Sequence, residues 1–203
     1  MAEVIFRTLT GAALEAALDD LARLRITVFH EWPYLYEGDR DYERKYLSKF
    51  AASKGAVIIG AYDGERLVGA ATAAPLADHF DDFAEPFEKK GLRAEDFFYF
   101  GESVLLPDYR GRGIGVRFFE EREKAARAEG FKRIVFCGVI RPEDHPMRPA
   151  DYVPLDRFWK NRGYEKMDGV VCDFPWRDIG DAEETRKPMQ FWTRTLPDDV
   201  GAH

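Results

Sequence analysis

Near the middle of the chain stands the run Arg110-Gly111-Arg112-Gly113-Ile114-Gly115, between an apolar strand-like run, Phe97–Leu106, and a helix-like run, Val116–Glu129. Glycines at alternate positions let the backbone turn tightly and approach a ligand closely. Because the turn opens a helix, the first amides of that helix have no internal partner and favour an anion, typically a phosphate. Two arginines in the same run add positive charge. The run therefore predicts capture of a phosphorylated molecule.

Three kinds of phosphate-binding loop contain such glycines, and their spacing separates them. A Walker loop needs Lys followed by Ser or Thr after its last glycine, whereas Val116-Arg117 stands there. A dinucleotide fingerprint needs its third glycine one residue later and an acidic residue at the end of the next strand. The next strand-like run, Arg133–Val139, ends without an acidic residue. These departures disfavour a nicotinamide-dependent enzyme.

The third pattern fits the residues from Leu105 to Gly115. This stretch resembles the acetyl-coenzyme A loop of the GNAT acetyltransferases, in which an apolar strand leads to Arg/Gln-x-x-Gly-x-Gly/Ala and then to a helix. Arg110, Gly113 and Gly115 take the patterned positions. The resemblance implies an α/β protein of the GNAT acyl-CoA N-acyltransferase fold, with a mixed, mostly antiparallel sheet flanked by helices.

The order of the predicted elements extends the resemblance over most of the chain. It implies one domain, residues 1–203, with insertions near 78–94 and 141–154. Periodicity and turn signals, among them the hairpin signal Asp63-Gly64, underlie the prediction of each element. The predicted strands are Val4–Leu9, Ala56–Tyr62, Arg66–Ala74, Phe97–Leu106, Arg133–Val139, Val170–Phe174 and Pro188–Thr195. The predicted helices are Leu14–Arg25, Tyr42–Ala52, Asp78–Lys90, Val116–Glu129 and Leu155–Arg162.

Composition excludes several classes of protein. A hydrophobic content of 45% with 14% aromatic residues supplies a core and argues against disorder. The net charge of −7 gives no broad basic field, so we expect no nucleic-acid partner. Met1–Arg7 has no signal-peptide pattern and no run approaches the roughly 18 apolar residues of a membrane span, so we expect no membrane partner and a cytoplasmic location. The four histidines lack ligand spacing, so no metal is expected.

The resemblance implies that acetyl-CoA is the co-substrate and lies where two parallel strands splay apart. Those strands would be Phe97–Leu106 and Arg133–Val139. Loop amides and arginines would hold the pyrophosphate, while backbone groups of the first strand would pair with the pantetheine arm and polarise the thioester. The residues concerned are Val104, Leu105, Arg110, Gly111, Arg112, Gly113, Ile114 and Gly115.

The acceptor amine must lose a proton before it attacks, and a carboxylate suits that task. Glu102 is the candidate base, because it stands in the middle of an apolar strand-like run beside the expected cleft. Tyr99 takes another position at which the family places a base on this strand. The alternative is that Glu102 is buried and paired with an arginine for stability.

The group that protonates the leaving thiolate is open. The family often uses the tyrosine of a Phe-Tyr-x-x-x-Gly-Phe pattern, but Trp159 stands at that place and an indole is no acid. Tyr152, near the place of a family asparagine, is the candidate acid, and protonation by solvent is the alternative. Cys137 lies on the second strand and either faces the thioester or is an inert buried thiol.

Two loops would select the acceptor, which would be a small-molecule or a protein amine. One is Trp32–Glu37, in which Trp32, Tyr34 and Tyr36 either wall the acceptor or cover the core. The other is Arg141–Pro149, in which His145 is an alternative base or a solvated side chain. GNAT domains often pair, so a homodimer is expected as well.

Two functions follow from the resemblance. The first is an N-acetyltransferase that moves the acetyl group of acetyl-CoA directly to an amine, with no covalent enzyme intermediate. The second is a sensor or interaction module of the same fold, which binds acyl-CoA without transferring the acyl group. The missing tyrosine at Trp159 motivates the second.

Overall fold

The computed structural model describes residues 3–78 and 81–198. The strands in these ranges are β1 (Ile5–Leu9), β2 (Val57–Asp63), β3 (Arg66–Pro75), β4 (Phe97–Leu105), β5 (Arg133–Val139), β6 (Glu165–Trp176) and β7 (Thr185–Thr195). The helices are α1 (Gly11–Phe29), α2 (Arg40–Ala51), α3 (Asp81–Glu88), α4 (Ile114–Ala128) and α5 (Asp156–Asn161). The described strands form a seven-stranded sheet in the order β1-β2-β3-β4-β5-β7-β6.

The sheet is antiparallel except between β4 and β5, as expected for a mixed, mostly antiparallel sheet. These two strands pair over Phe97–Tyr99 and Arg133–Val135. Beyond those residues β4 keeps its pairing with β3, and β5 keeps its pairing with β7. The two central strands therefore part from each other, which confirms the predicted splay of Phe97–Leu106 from Arg133–Val139.

The alternation of side chains along β4 fills a core on both faces of the sheet. Phe97 and Tyr99 pack with α3 and with β7 on one face. Phe98 and Phe100 pack on the other face with Phe119 of α4. Helices α1 and α2 cover the first half of the sheet on the same face as α3, and α5 lies beside α4.

A bulge in β4 changes this alternation at the centre of the sheet. Ala71 pairs with Ser103 and Ala73 with Phe100, so two residues of β4 lie opposite one residue, Thr72. Those two residues are Gly101 and Glu102. The Glu102 amide donates to Thr72 Oγ1 at 3.1 Å. As is usual for a bulge, the strand bends and re-aims the side chains that follow.

A buried arginine of α4 holds the bulge from the opposite face. Arg122 is 2% exposed and donates from Nη1 to the carbonyl oxygens of Thr72 and Glu102, at 3.4 and 3.3 Å. Its Nη2 donates to Ser103 Oγ at 2.8 Å, and its guanidinium lies over the ring of Phe100. Burial lowers the pKa of Arg122 to about 10, so the side chain stays charged at neutral pH. The bulge is therefore anchored by a charged donor.

The predicted elements occur in the predicted order, and the largest differences lie at their ends. Helix α1 continues past Arg25 to Phe29, through β-branched residues that weaken the helical signal. Strand β6 is much longer than the predicted Val170–Phe174, because Gly169 with φ +65° permits an irregularity within it. The acidic helix predicted from Asp78 begins at Asp81.

Some sequence-based predictions are not tested by the fold. His79 and His203 lie outside the described residues. The assignment of residues 78–94 and 141–154 as insertions in the family's fold stays a prediction. Within the described ranges, no helix is both long and apolar enough to cross a membrane.

We predict that Gly101→Ala destabilises the protein by about 1–3 kcal/mol, because a Cβ at this position would lie 2.4 Å from Thr72 Oγ1. The free energy of unfolding in urea measures the effect. Thr72→Ala removes the clashing atom, so the same glycine substitution in that background is expected to cost much less. An equal cost in both backgrounds would contradict the proposed contact.

Candidate functional site

The glycine loop between β4 and α4 has the backbone that the sequence predicted. Gly111 and Gly113 have φ of +73° and +79°, a region that favours glycine. A Cβ at either position would meet no atom within 4 Å. The glycines are therefore needed for their conformation, and the space beside them is open to a ligand. Gly115 has no positive φ, and a Cβ there would lie 3.7 Å from Phe158.

The start of α4 supplies free amides next to this space. The first helical bond runs from the Arg117 amide to the Gly113 carbonyl at 3.1 Å. The amides of Gly113, Ile114, Gly115 and Val116 precede that bond and have no acceptor within the helix. Together with the positive end of the helix dipole they form a site suited to a phosphate.

Both arginines of the loop already have partners in the protein. Arg110 Nη1 lies 2.8 Å from Glu31 Oε2, and its Nε donates to the Leu105 carbonyl at 3.2 Å. Arg112 donates to the Asp108 carbonyl and lies over the ring of Tyr109. Arg110 is still 46% exposed, so a phosphate can reach it by competing with Glu31. Sequence analysis did not predict that Glu31 lies beside Arg110.

The strand before the loop offers backbone rather than side chains. Val104 is fully buried in the core beneath α1, and Leu105 pairs with Gly69 of β3. On its other edge β4 pairs with β5 only as far as Tyr99, so the following residues have no strand on that side in the described structure. Their edge is available to an extended ligand, and that a pantetheine arm lies along it stays a prediction.

A cavity of about 430 Å³ opens on the α1 and α2 side of this strand, and we call it the β4 cavity. Tyr99, Gly101 and Glu102 of β4 line it, together with Cys137 of β5. Its remaining walls come from α1, α2, the segment between them, Phe83 of α3, and β6, β7 and their connection. Aromatic residues predominate, and six carboxylates are also present: Glu37, Asp39, Glu43, Glu102, Glu183 and Glu184.

Glu102 belongs to a buried group of three charges in this cavity. Arg25 of α1 forms ion pairs with Glu102 Oε1 and with Glu43 Oε2. The three side chains are 10%, 9% and 1% exposed, in the order Arg25, Glu102, Glu43. Although burial lowers the pKa of Arg25, the two carboxylates outweigh burial and raise it above its ordinary value. Glu102 is thus paired with an arginine and also faces the cavity, and its role as a base stays a prediction.

Sequence analysis missed Arg25 and Glu43. Both stand at core-facing helical positions, four residues after Leu21 and four before Leu47, where apolar side chains are expected. A charge at an apolar position of a helix was the available signal. It indicates that a partner of opposite charge lies inside the fold.

The segment between α1 and α2 is held in place by Arg141, just after β5. Arg141 Nε donates to the Pro33 carbonyl at 2.8 Å, and its Nη2 donates to the Tyr34 carbonyl at 2.7 Å. Its Nη1 and Nη2 also bind both oxygens of Asp178, at 2.7 and 2.9 Å. The Trp176 indole donates to the Tyr34 carbonyl at 2.9 Å. The position of Tyr34 therefore depends on residues that follow it by more than a hundred positions.

Asp178 is the acidic centre of this network. Lys187 Nζ lies 3.1 Å from Asp178 Oδ1, one of the two oxygens that Arg141 binds. Although burial alone raises the pKa of Asp178, hydrogen bonds from Arg141 and Lys187 outweigh burial and hold the pKa below its ordinary value. Asp178 is therefore ionised at neutral pH and keeps both cations in place.

The predicted acceptor-side residues divide into two groups. Tyr34 and Tyr36 line the β4 cavity. Trp32 does not line it and packs against His145 and Tyr152, with ring centroids 4.9 and 5.9 Å away. The Met147 amide donates to His145 Nδ1 at 3.2 Å. The structure therefore brings the two tyrosines, but neither Trp32 nor His145, into the cavity with Glu102.

Tyr152 is the candidate acid for the leaving thiolate, and Trp159 stands where the family often has a tyrosine. Burial raises the pKa of Tyr152, so its phenol is protonated at neutral pH. Trp159 is a packing residue, because it covers Gly138, where a Cβ would lie 3.0 Å from the indole, and stacks edge-on against Trp192. The Cys137 thiol is buried and lies 3.6 Å from the Tyr99 hydroxyl.

In residues 3–78 and 81–198 no three His, Cys, Asp or Glu side chains are grouped so as to hold a metal ion. Cys137 and Cys172 are free, buried thiols.

We predict that Arg141→Lys lowers the free energy of unfolding by about 1–3 kcal/mol, since an ammonium cannot reproduce the fork that binds two carbonyls and a carboxylate. Urea unfolding measures it. Arg148→Lys, at a half-buried arginine of the same segment with a single 3.4 Å hydrogen bond to the Glu143 carbonyl, is the matched control and is expected to change stability less. Equal effects of the two substitutions would contradict the anchoring role of Arg141.

Comparison with known proteins extends these observations. The sequence model of the Acetyltransferase (GNAT) family matches residues 18–150. A search of curated proteins finds no match. Solved structures, in contrast, resemble the chain over nearly its whole length.

Three of these structures illustrate the likeness. A ribosomal-protein-alanine N-acetyltransferase from Brucella melitensis has 16% identity and a TM-score of 0.62, covering 95% of this chain and 99% of its own. The yncA protein from Salmonella typhimurium, solved with its cofactor acetyl-CoA, has 13% identity and a TM-score of 0.61, covering 100% and 99%. An aminoglycoside 6'-N-acetyltransferase complexed with coenzyme A has 15% identity and a TM-score of 0.60, covering 95% and 98%.

At these identities the solved structures establish the fold alone. The match of the family model spans more than half of the chain, from α1 across β4 and the glycine loop to the segment after β5. We conclude that this chain belongs to the GNAT acetyltransferase family.

Proposed function

We propose that the protein transfers the acetyl group of acetyl-CoA directly to the nitrogen of an amine bound in the β4 cavity. The observation that carries the proposal is the position of β4. Its bulge residues Gly101 and Glu102 line the cavity, and a few residues later the same strand enters the glycine loop. A cofactor held on the loop and along the free edge of β4 would meet an acceptor in the cavity at the bulge.

The residues of the loop fit a pyrophosphate. The amides that precede the first bond of α4 would donate to it, and Arg110 and Arg112 would add charge-assisted contacts. Backbone groups near Val104 and Leu105 would hold the pantetheine arm, and one N–H there would polarise the thioester carbonyl. These residues bind and orient the cofactor, which supplies the activated acetyl group.

The proton chemistry is proposed for Glu102, which lines the cavity, and for Tyr152, which lies beside Trp32 outside the cavity lining. Glu102 accepts the proton of the acceptor ammonium, directly or through water, and the free amine attacks the acetyl carbonyl. The carbon–sulfur bond breaks as the carbon–nitrogen bond forms, and the nitrogen releases its second proton to solvent. The leaving thiolate takes a proton from solvent or from Tyr152, which solvent then reprotonates. Arg25 also pairs with Glu43, so the positive charge of Arg25 compensates the Glu102 carboxylate only in part.

The alternative is a sensor that binds acyl-CoA without transferring the acyl group. The observation in its favour is Trp159, which stands where many relatives have an acid and packs against Gly138 and Trp192. Release of free thiol from acetyl-CoA in the presence of any amine in a screen would exclude a sensor without activity. Absence of turnover with retained binding would favour it.

We predict that Gly113→Ala weakens acetyl-CoA binding at least about tenfold, because it strains the turn that directs the loop amides. Titration calorimetry measures the affinity. Gly130→Ala is the matched control, since Gly130 ends the same helix with φ +82° and equally open space. Both substitutions are expected to cost similar stability, while the control keeps its affinity for acetyl-CoA. If acetyl-CoA does not bind the unmodified protein, the proposed function is abandoned.

We predict that Glu102→Gln lowers kcat by about 10²–10⁴-fold on an amine that the unmodified protein acetylates, and leaves acetyl-CoA affinity unchanged. Raising the pH should restore part of the rate, because it supplies deprotonated amine without a base. The control Glu43→Gln removes the other carboxylate partner of Arg25. Equal losses in the two variants, with no recovery at high pH, would show a structural role only.

A further inference from the structure

We infer that the acceptor is a small linear amine that carries at least two positive charges, one held at Glu102 and another at acidic residues around the mouth of the β4 cavity. The inference rests on the proposed function and specifies its substrate class. It follows from the distribution of charge along the cavity, from the neutral aromatic walls and from the cavity's size.

The inner end of the cavity has an unbalanced negative charge. Two buried carboxylates, Glu43 and Glu102, share one guanidinium, that of Arg25. Among the ion pairs of the described residues, Arg25 is the cation of both carboxylates, so one of their two negative charges lacks a counter-ion there. Burying such a charge is costly unless a cation approaches it. The ammonium group of an acceptor would supply that cation at the position where its proton is to be removed.

The mouth of the cavity is acidic as well. Glu37 and Asp39 precede α2, Glu183 and Glu184 lie between β6 and β7, and all four are exposed residues of the cavity wall. Arg177 is the basic residue that lines this end. The two acidic segments face each other, since Glu37 donates its backbone N–H to the Arg177 carbonyl at 2.9 Å. Four carboxylates against one arginine make this mouth a second place for a cation.

The walls between these two ends are aromatic and uncharged. Burial is the main cause that raises the pKa of Tyr34, Tyr36, Tyr42 and Tyr46, so their phenols are neutral at physiological pH. Aromatic faces attract ammonium groups and also pack against methylene chains. A chain of methylene groups with an ammonium at each end matches this order of acidic, aromatic and acidic surfaces.

The size of the cavity favours a small molecule. About 430 Å³ is within the range of pockets that enclose metabolites and drug-sized ligands. A second charge on a slender molecule can therefore reach the mouth while the first lies beside Glu102. A monoamine of equal length would leave the mouth acids without a partner.

The test compares two probes that differ by one charge, α,ω-diaminooctane and octylamine, titrated by calorimetry into the protein with and without coenzyme A. We expect the diamine to bind at least about fivefold more tightly, and the difference to shrink as salt is raised. Equal affinities, or tighter binding of octylamine, would overturn the inference.

Two double variants distinguish the effect of the mouth acids from the effect of the protein's net charge. Glu183→Gln/Glu184→Gln is expected to reduce diamine affinity to that of octylamine and to leave octylamine binding unchanged. Glu65→Gln/Glu95→Gln removes the same charge from exposed positions outside the cavity and should change neither. Equal weakening of diamine binding in both variants would overturn the inference.

The proposed function is tested separately, by measuring whether acetyl-CoA binds and is consumed. Acetyl-CoA that binds and is consumed with octylamine but not with the diamine would leave the function standing and refute the dicationic substrate. Acetyl-CoA that does not bind at all would refute the function, while the affinities of the two amines would still decide the charge preference of the cavity.

Discussion

The bulge in β4, held between Thr72 and Arg122, is the constraint on which the site depends. A regular strand would place Glu102 on the same face as Phe98 and Phe100, in the core beneath α4. The extra residue re-aims the strand so that Glu102 faces the β4 cavity. Arg122 stabilises this irregular backbone with donors to two carbonyls and a hydroxyl, from the side of the sheet opposite to the cavity. The position of the candidate base thus depends on the charged side chain of Arg122, which does not line the cavity.

Three arginines stabilise different parts of the site. Arg122 fixes the strand, Arg141 fixes the segment that carries Tyr34, and Arg25 pairs with the two buried acids. All three side chains are at most 10% exposed, and Arg122 and Arg141 each donate four hydrogen bonds to protein oxygens, whereas Arg25 pairs with two carboxylates. A planar fork of donors suits this task, because one side chain can bind carbonyls and carboxylates of several elements at once. Arg110, in contrast, is half exposed and remains open to a phosphate.

The fold and the glycine loop could be predicted from the sequence, because their signals are local. Glycines with positive φ, the Asp63-Gly64 hairpin and the apolar runs each act within a few residues. The charged network could not be predicted in the same way. Arg25 meets Glu102, and Arg141 meets Asp178, only after distant segments pack together. Tyr34 and Tyr36 were found because aromatic residues cluster in one loop, yet the same cluster included Trp32, which the structure turns towards Tyr152 instead.

The β4 cavity draws its inner and outer parts from different regions of the chain. Arg25, Glu43 and Glu102 come from α1, α2 and β4, whereas two of the mouth acids, Glu183 and Glu184, belong to the connection between the last two strands. Exposed residues of a connection tolerate exchange far better than buried ion pairs do. Under the proposed function, substitutions in that connection would alter which amines enter while the candidate base Glu102 is kept. A lineage with this architecture can acquire new acceptors one surface substitution at a time.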